Sequence, residues 1–293
     1  MTEPGSLALL AVLAHPDDES FGPGGTLALY AARGVQVHLL CATRGEVGTV
    51  EPDRMGDHAS IGDLRQAELE CAAGHLGLAG VHFLGYRDSG MPGSPDNRHP
   101  QALAAAPVEE VAAAIVEWIR RTRPQVVLTF DPIGGYRHPD HIACHDATVL
   151  AFGASGDPAR YPGVLPAYQP AKLYFHTFRR PWLRHGIRLL HLFGQDPRHW
   201  GRNKDLDLVD IAQNEFPIHA HIDIRPVAER KARASACHAS QMMPRPRGIG
   251  RWLFRFSDAE EVYMRAHPPA TPHLRERDLF EGVADGRPGP LTR

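Results

Sequence analysis

Short apolar segments alternate with amphipathic ones along the first half of the chain. Residues 7–14 form an unbroken apolar run that is too short for most helices and ends in His-Pro-Asp-Asp. Such a run is typical of a strand buried on both faces of a parallel sheet. Residues 24–33 have helical spacing, and Gly34 and the strand formers of residues 35–43 follow them. The pattern predicts a right-handed βαβ unit with its functional loops at the carboxyl ends of the strands.

The same alternation continues as far as residue 153. Helical spacing predicts helices over 61–76, 107–123 and 142–152, and strand formers predict strands over 81–86 and 124–130. We therefore predict an α/β fold, namely a Rossmann-like, mostly parallel sheet with helices on both faces, plus a smaller C-terminal lobe.

The pattern changes beyond residue 153, where Pro, Gly, His and Arg become frequent. Two short apolar patches occur there, at 172–178 and 187–193. Two stretches have helical spacing and predict helices, at 227–241 and 258–267. We predict that residues 1–153 form a Rossmann-like catalytic core with a metal site. Residues 154–293 are predicted to complete this core and to form a lobe on the substrate side.

Composition and charge exclude several classes of protein. The 293 residues are 43% hydrophobic with a net charge of −2, so there is no basic excess to attract nucleic acid or an anionic membrane. No apolar run approaches the roughly 20 residues of a membrane span, and the first residues do not resemble a signal peptide. We expect a cytoplasmic protein with no nucleic-acid partner and no membrane span, whose oligomeric state stays open.

The cysteines suggest no special chemistry. They are widely separated and form no CxxC pair, so neither a disulfide framework nor a cysteine zinc site is predicted. We interpret all four as buried small hydrophobic residues, and they are Cys41, Cys71, Cys144 and Cys237.

The candidate chemistry lies in three polar loops, each directly after a predicted strand. They are AHPDDES at 14–20, TRGEVGT at 43–49 and DPIGGYRHPDH at 131–141. Loops at the carboxyl ends of neighbouring parallel strands converge on one crevice. Two histidines and one carboxylate from the first and third loops would leave open positions on a metal, which a hydrolase needs for water and substrate. The adjacent Asp17 and Asp18 offer one ligand and one free base.

The AHPDDE block after the first strand and the HPDH block after a later one resemble the LmbE-like (PIG-L) de-N-acetylases. This family includes the deacetylases of mycothiol and bacillithiol biosynthesis and the N-acetylglucosaminyl-phosphatidylinositol deacetylase. The resemblance is clear over the first half of the chain and faint beyond it. It implies a zinc-dependent hydrolase that removes the N-acetyl group from an N-acetylglucosamine-type glycoside. The implied cofactor is one Zn²⁺ per chain, with Fe²⁺ or another divalent ion as the alternative, and the implied partner is a small amino sugar.

The resemblance also implies roles for single residues. The implied metal ligands are His15, Asp18 and His141, and the implied general base is Asp17. The groups implied to lie beside the acetyl carbonyl are His138 and Tyr136, and the implied sugar contacts are Glu46, Arg65 and Asp88. His238, in a stretch that faintly resembles a late family helix, is a weaker site candidate. The identity of the rest of the substrate, the role of residues 174–203 and the source of the proton for the leaving amine stay open.

Two other functions remain as alternatives. Two histidines and one carboxylate also form the iron site of non-haem oxygenases, although the α/β pattern argues against the all-β folds expected for that site. The non-enzymatic alternative is a sugar- or metal-binding module that has lost catalysis, and the intact Asp17 argues against it. Each His-Pro-Asp turn taken singly is also typical of a helix cap.

Overall fold

The structure is a computed structural model that describes residues 6–163, 165–178, 180–200, 206–242 and 259–283. The strands of this part of the chain are β1 (Ala8–Leu13), β2 (Gln36–Cys41), β3 (Gly80–Phe83), β4 (Val126–Phe130), β5 (Lys172–Thr177), β6 (Ala220–Asp223) and β7 (Glu260–His267). Its α-helices are α1 (Asp18–Phe21), α2 (Gly24–Ala32), α3 (Ile61–Leu76), α4 (Val108–Thr122), α5 (Gly134–Arg137), α6 (Pro139–Ala154), α7 (Arg180–Leu192), α8 (Leu208–Gln213) and α9 (Ala228–Cys237). Among these described helices, none has the length and apolar character needed to cross a membrane.

The strands form one sheet in the order β3-β2-β1-β4-β5-β7-β6. The pairs from β3 to β5 are parallel, whereas β7 runs antiparallel to both of its neighbours. The chain moves outward from β1 to β3 and then returns to the other side of β1 with β4. This reversal places the loops after β1 and β4 side by side at the carboxyl ends of the strands, where α/β proteins bind their ligands. The predicted α/β fold with a mostly parallel sheet is confirmed.

The core lies on both faces of the sheet. Every residue of β1 and of β4 is buried, which explains why β1 is an unbroken apolar run and why Thr129 is the one polar residue of β4. Helices α2, α3 and α9 pack against one another, and α4 packs against α6. The two central strands are therefore covered on both sides.

The prediction of a helix over residues 258–267 is wrong. Residues 260–267 form β7, which pairs with β5 on one side and β6 on the other. The sequence EEVYMRAH contains several good helix formers, so its local preference misled the sequence analysis. Pairing on both sides and the burial of Val262 and Tyr263 outweigh that preference.

One carboxylate of β7 caps a helix near the start of the chain. Pro23, the residue before α2, provides no side-chain cap. Instead, the two carboxylate oxygens of Glu261 accept hydrogen bonds from the backbone amides of Gly25 and Thr26, each at 2.8 Å. Glu261 is buried, and negatively charged groups stabilise helix N-termini, so this contact stabilises the start of α2 and fixes it to β7.

Two of the cysteines contradict the interpretation that all four are buried hydrophobic residues. Cys71 of α3 and Cys237 at the end of α9 form a disulfide across 166 positions of sequence. Cys41 and Cys144 are free and buried, as expected. The spacing of the cysteines could not show the bridge, because only the folded chain brings α3 next to α9.

We expect Cys71→Ser to lower the free energy of unfolding by about 2–4 kcal/mol, because a disulfide restricts the unfolded chain. Urea unfolding without reductant measures the difference. The control is the same pair of proteins with a dithiol reductant, which should lower the stability of the wild type to that of the variant and leave the variant unchanged. Equal stability of the two proteins without reductant would contradict a formed disulfide.

Candidate active site and metal centre

The loops after β1 and β4 bring together the three predicted metal ligands. Nδ1 of His15 lies 3.3 Å from Nε2 of His141, although the two residues are 126 positions apart. One carboxylate oxygen of Asp18 lies 3.5 Å from the same nitrogen of His15, and the other lies 3.4 Å from that of His141. The switch in strand order thus brings potential ligand atoms of three residues into one small group.

The spacing and chemistry of these atoms fit a small divalent ion. Ligands at about 2.0–2.1 Å from a tetrahedral ion are roughly 3.3 Å from one another. Two imidazoles and one carboxylate form a donor set that binds zinc or iron and leaves coordination positions for water and substrate. All three side chains are at most 10% exposed, so few water molecules compete for the ligand atoms.

Hydrogen bonds on the outer side of the two rings turn the correct nitrogens toward this group. Nδ1 of His141 lies 3.1 Å from the carbonyl oxygen of Gly134, and Nε2 of His15 lies 3.1 Å from a carboxylate oxygen of Asp140. Both oxygens act as acceptors, so these outer nitrogens carry hydrogens and the opposite nitrogens are the ones directed toward a metal. Burial lowers the pKa of His141 to about 4, which keeps its ring in the neutral form that binds metals.

Asp140, to which the sequence analysis assigned no role, lies buried behind His15. It also accepts hydrogen bonds from the amide of Ser89 at 2.9 Å and from the Ser89 hydroxyl. Burial lowers the pKa of His15, but the neighbouring carboxylates, chiefly Asp88 and Asp140, outweigh burial and raise it well above its usual value, so a metal binding there would displace the proton from Nδ1. A carboxylate that orients a ligating histidine is a recurrent feature of metal sites. Asp140 stands in the first turn of α6, where a capping role explains an aspartate equally well, so the sequence alone could not identify it.

Asp17, the predicted general base, adjoins the ligand Asp18 and contacts Arg65 with one carboxylate oxygen at 3.1 Å. Its backbone φ of 114° is rare for a residue with a side chain, and such conformations cluster at functional sites. Burial raises the pKa of Asp17 to about 7, against the opposing charge of Arg65. A carboxylate with a pKa near 7 is suited to accept a proton close to neutral pH.

Arg65, predicted as a sugar contact, lies buried behind Asp17. Besides the carboxylate, its guanidinium donates to the carbonyl oxygens of Pro16 at 2.7 Å and of Gly45 at 3.0 Å. A Cβ at position 45 would lie 2.0 Å from Nη1 of Arg65, so any residue other than glycine would clash with the guanidinium. These contacts hold the base in place, and a contact of Arg65 with a sugar stays a prediction.

The other two predicted sugar contacts lie beside each other. Glu46 accepts a hydrogen bond from the backbone amide of Asp88 at 3.1 Å, and its side chain is 21% exposed. Asp88 is buried, with one carboxylate oxygen 3.5 Å from Nε2 of His15. Asp88 therefore lies against a ligand's ring, whereas Glu46 reaches the surface of the crevice. Their binding of sugar hydroxyls stays a prediction.

Tyr136 and His138 lie on the loop after β4, close to both histidine ligands. The Tyr136 hydroxyl is 3.5 Å from Nε2 of His141, and the ring centre of His138 is 4.5 Å from that of His15. Burial and the charge of Asp18 raise the pKa of Tyr136, so the phenol keeps its proton. Burial and the two neighbouring histidines lower the pKa of His138 to about 2, so this ring is neutral.

Three other combinations of side chains within the described residues place potential ligand atoms within 4.8 Å of one another. They are His15, His138 and His141; His15, Asp88, His138 and Asp140; and Cys71, His75 and Cys237. Asp18 is favoured as the third ligand because its carboxylate oxygens face Nδ1 of His15 and Nε2 of His141, at 3.5 and 3.4 Å. The Asp140 carboxylate already accepts a hydrogen bond from the backbone amide of Ser89, and the sulfurs of Cys71 and Cys237 are bonded to each other, so these groups are less suited to bind a metal.

His238, the weaker candidate, is fully buried beside the first loop. Its Nε2 lies 2.7 Å from a carboxylate oxygen of Glu19, which is also fully buried. Glu19 is the last residue of the AHPDDE block, and the sequence analysis gave it no role. A pairing across 219 positions leaves no local signal, so only the fold could show it.

Known proteins are similar to this chain over most of its length. A family model described as PIG-L, GlcNAc-PI de-N-acetylase, matches residues 10–152. A 1D-myo-inositol 2-acetamido-2-deoxy-alpha-D-glucopyranoside deacetylase from Geodermatophilus obscurus is 41% identical over 246 residues, covering 81% of this chain and 83% of the relative. A protein of the same name from Streptomyces avermitilis is 38% identical, covering 94% and 97%. The N,N'-diacetylchitobiose deacetylase of Pyrococcus horikoshii has the same fold, with a TM-score of 0.59 at 20% identity over 97% of this chain and 87% of that one.

Proposed function

We propose that this chain, which belongs to the PIG-L family of de-N-acetylases, hydrolyses the acetamide of an N-acetylglucosaminyl glycoside and releases acetate and a free amino sugar. The observation that carries the proposal is the group formed by Nδ1 of His15, Nε2 of His141 and the Asp18 carboxylate, 3.3–3.5 Å apart, with Asp17 next to it. Metal ligands beside a free carboxylate are the components of metal-assisted amide hydrolysis.

His15, Asp18 and His141 would hold one divalent ion per chain, and we propose that it is zinc. An ion bound there lowers the pKa of a water molecule and polarises the acetyl carbonyl. Zinc suits two neutral imidazoles and a carboxylate in a buried setting, and Fe²⁺ fits the same donors.

Asp17 accepts the proton of the attacking water. The Arg65 guanidinium donates to its carboxylate at 3.1 Å, so the carboxylate has one preferred orientation. The water oxygen adds to the acetyl carbon, and the electron pair of the C=O bond moves to the acetyl oxygen. When the carbonyl re-forms, the C–N bond breaks and the nitrogen needs a proton. Asp17 holds that proton, and its pKa near 7 lets it release the proton to the leaving amine.

His138 and Tyr136 stabilise the charge that develops on the acetyl oxygen. Nδ1 of His138 accepts the backbone amide of Asp140 at 3.2 Å, so the hydrogen of the neutral ring is on Nε2 and can be donated. The protonated Tyr136 hydroxyl is a second donor. A neutral His138 is a hydrogen-bond donor rather than a strong acid, which favours Asp17 as the source of the final proton.

The glycoside that we propose is 1D-myo-inositol 2-acetamido-2-deoxy-alpha-D-glucopyranoside. Support comes from two relatives with this substrate in their names, one of which aligns over 94% of the chain. We also propose that Glu46, Arg65 and Asp88 contribute to sugar binding, and that residues 154–293 complete the core and bound the substrate side. The enzyme is proposed to act in the cytoplasm.

Acetate release by the purified, zinc-loaded protein tests this proposal. We expect kcat/KM for the inositol glycoside to exceed that for N,N'-diacetylchitobiose and N-acetylglucosamine by at least about tenfold, the value of one or two hydrogen bonds to the inositol. The Asp17→Asn protein, purified identically, controls for a contaminating deacetylase. Absence of acetate from all three compounds would refute the deacetylase function. A preference for the chitobiose would refute only the inositol glycoside, and dioxygen consumption with Fe²⁺ would support an oxygenase instead.

A further inference from the structure

We infer that Glu19 and His238 form a positioning pair that holds Asp17 in the place where it accepts a proton. The inference rests on the proposed function, because it concerns how the general base of that reaction is fixed. It assigns a part in catalysis to the turn at His238, directly after α9. The family resemblance implied no specific role for this turn.

Glu19 connects the base to the rest of the protein. Its Oε2 accepts the backbone amide of Asp17 at 3.0 Å, and its Oε1 lies 2.7 Å from Nε2 of His238 and accepts the Ser20 hydroxyl. The carboxylate is fully buried, where a charged group is stable only if its hydrogen bonds are made. Glu19 therefore has one favourable position, which is defined by its partners on both sides.

Asp17 needs such a partner because its backbone is strained. A φ of 114° persists in a residue with a Cβ only when the surroundings impose it. The carbonyl oxygen of Asp17 accepts the amides of Ser20 at 3.0 Å and Phe21 at 2.9 Å, while Glu19 accepts its N–H. Arg65 holds the side chain and Glu19 holds the main chain, so both are required for a defined position of the carboxylate.

His238 is itself fixed from the opposite direction. It follows Cys237, which is bonded to Cys71 of α3. Two residues later, Ser240 donates its amide and hydroxyl to the buried carboxylate of Glu68 at 2.8 and 2.7 Å. The turn is thus anchored to α3 on either side of His238, which lets the imidazole serve as a rigid support for Glu19.

The pair acts through Asp17 rather than on the substrate. His238 is fully buried, and its hydrogen-bond partner is Glu19 rather than a metal ligand. Loss of the imidazole would leave a buried carboxylate short of a partner, and the turn at Asp17 would relax. A shift of about 1 Å in a catalytic group can cost up to about 10²-fold in rate, whereas substrate contacts on other loops would remain. The loss should therefore appear in kcat and not in KM.

The first test compares two variants that each replace a buried imidazole. We expect His238→Gln to lower kcat for acetate release by about 10- to 100-fold, with KM and zinc content within about twofold of the wild type. His219→Gln is the matched control, because His219 is also buried but lies beside β6, where its ring accepts the backbone amide of Arg265 at 3.0 Å. We expect the kcat of this control to stay within about twofold of the wild type. Wild-type kcat in His238→Gln, or an equal loss in His219→Gln, would overturn the inference.

The second test asks whether the pair works through the base. In an Asp17→Asn background, His238→Gln should change the residual kcat by less than about twofold, because residues that act as one unit are not additive. A further fall of about tenfold there would show an independent structural role and would overturn the inference. Glu19→Gln combined with His238→Gln should likewise lose no more rate than the more damaging single variant.

A third measurement does not depend on activity. Hydrogen exchange of the zinc-loaded protein, followed by mass spectrometry of peptides covering residues 15–22, reports the hydrogen bond from the Asp17 amide to Glu19. We expect exchange at least about tenfold faster in His238→Gln than in wild type or His219→Gln. Unchanged exchange would contradict the pair. A wild-type protein that releases no acetate would instead refute the proposed function and leave this measurement valid.

Discussion

Replacing His15, Asp18 or His141 with alanine is expected to remove the bound metal and to lower the deacetylase rate by about 10³-fold or more. The metal ion supplies several kcal/mol of charge stabilisation in such reactions, so the rate cannot survive its loss. Each replacement removes one corner of the group whose atoms lie 3.3–3.5 Å apart and leaves only two donors. Elemental analysis and acetate release, measured on the same preparations, test this expectation.

A buried histidine on the same helix as His141 supplies the control. His145 also lies in α6, with its Nδ1 2.9 Å from the carbonyl oxygen of Phe130, and is not part of the ligand group. His145→Gln should keep about one metal ion per chain. If all three ligand variants retained the metal of the wild type, the ligand assignment would be wrong.

Asp17→Asn is expected to keep the metal and to lose about 10²–10⁴-fold in kcat, the usual contribution of a general base. Asparagine has nearly the same shape as aspartate but cannot accept a proton from the attacking water. Steady-state kinetics and elemental analysis distinguish this result from loss of the metal. Near-normal turnover would remove Asp17 from the role of base.

The pH profile gives the same variant a second readout. Burial raises the pKa of Asp17 to about 7, and the carboxyl group accepts a proton only above its pKa, so the wild-type kcat/KM should rise with pH. A bound cation favours the charged carboxylate, so the rise should be centred below that value in the metal-loaded enzyme. The variant should lack this rise.

Local patterns in the sequence were sufficient for much of the fold. The unbroken apolar run at β1 predicted a buried parallel strand, the strand formers of residues 124–130 predicted β4, and the predicted helix at 61–76 coincides with α3 (Ile61–Leu76). The failure at β7 has a physical cause, because its conformation depends on pairing with β5 and β6, which its own sequence does not encode.

The candidate site was predictable to the extent that its residues stand in two motifs. The motifs named His15, Asp18 and His141, but they do not show side-chain direction. The burial of Arg65 against Asp17 and the position of Asp140 behind His15 follow from packing between separate loops. The disulfide and the pair of Glu19 with His238 join residues more than 160 positions apart, where one sequence alone offers no signal of contact.

The cap that Glu261 places on α2 constrains when this protein can fold during its synthesis. The backbone amides of Gly25 and Thr26 donate to a residue about 235 positions later in the chain, which lies on the strand that pairs with β5. A nascent chain that has only just emerged through β4 therefore lacks both this acceptor and the strands that pair beyond β4. Since domains complete their folding as units, the loops of the active site should reach their final arrangement only after nearly the whole chain has left the ribosome.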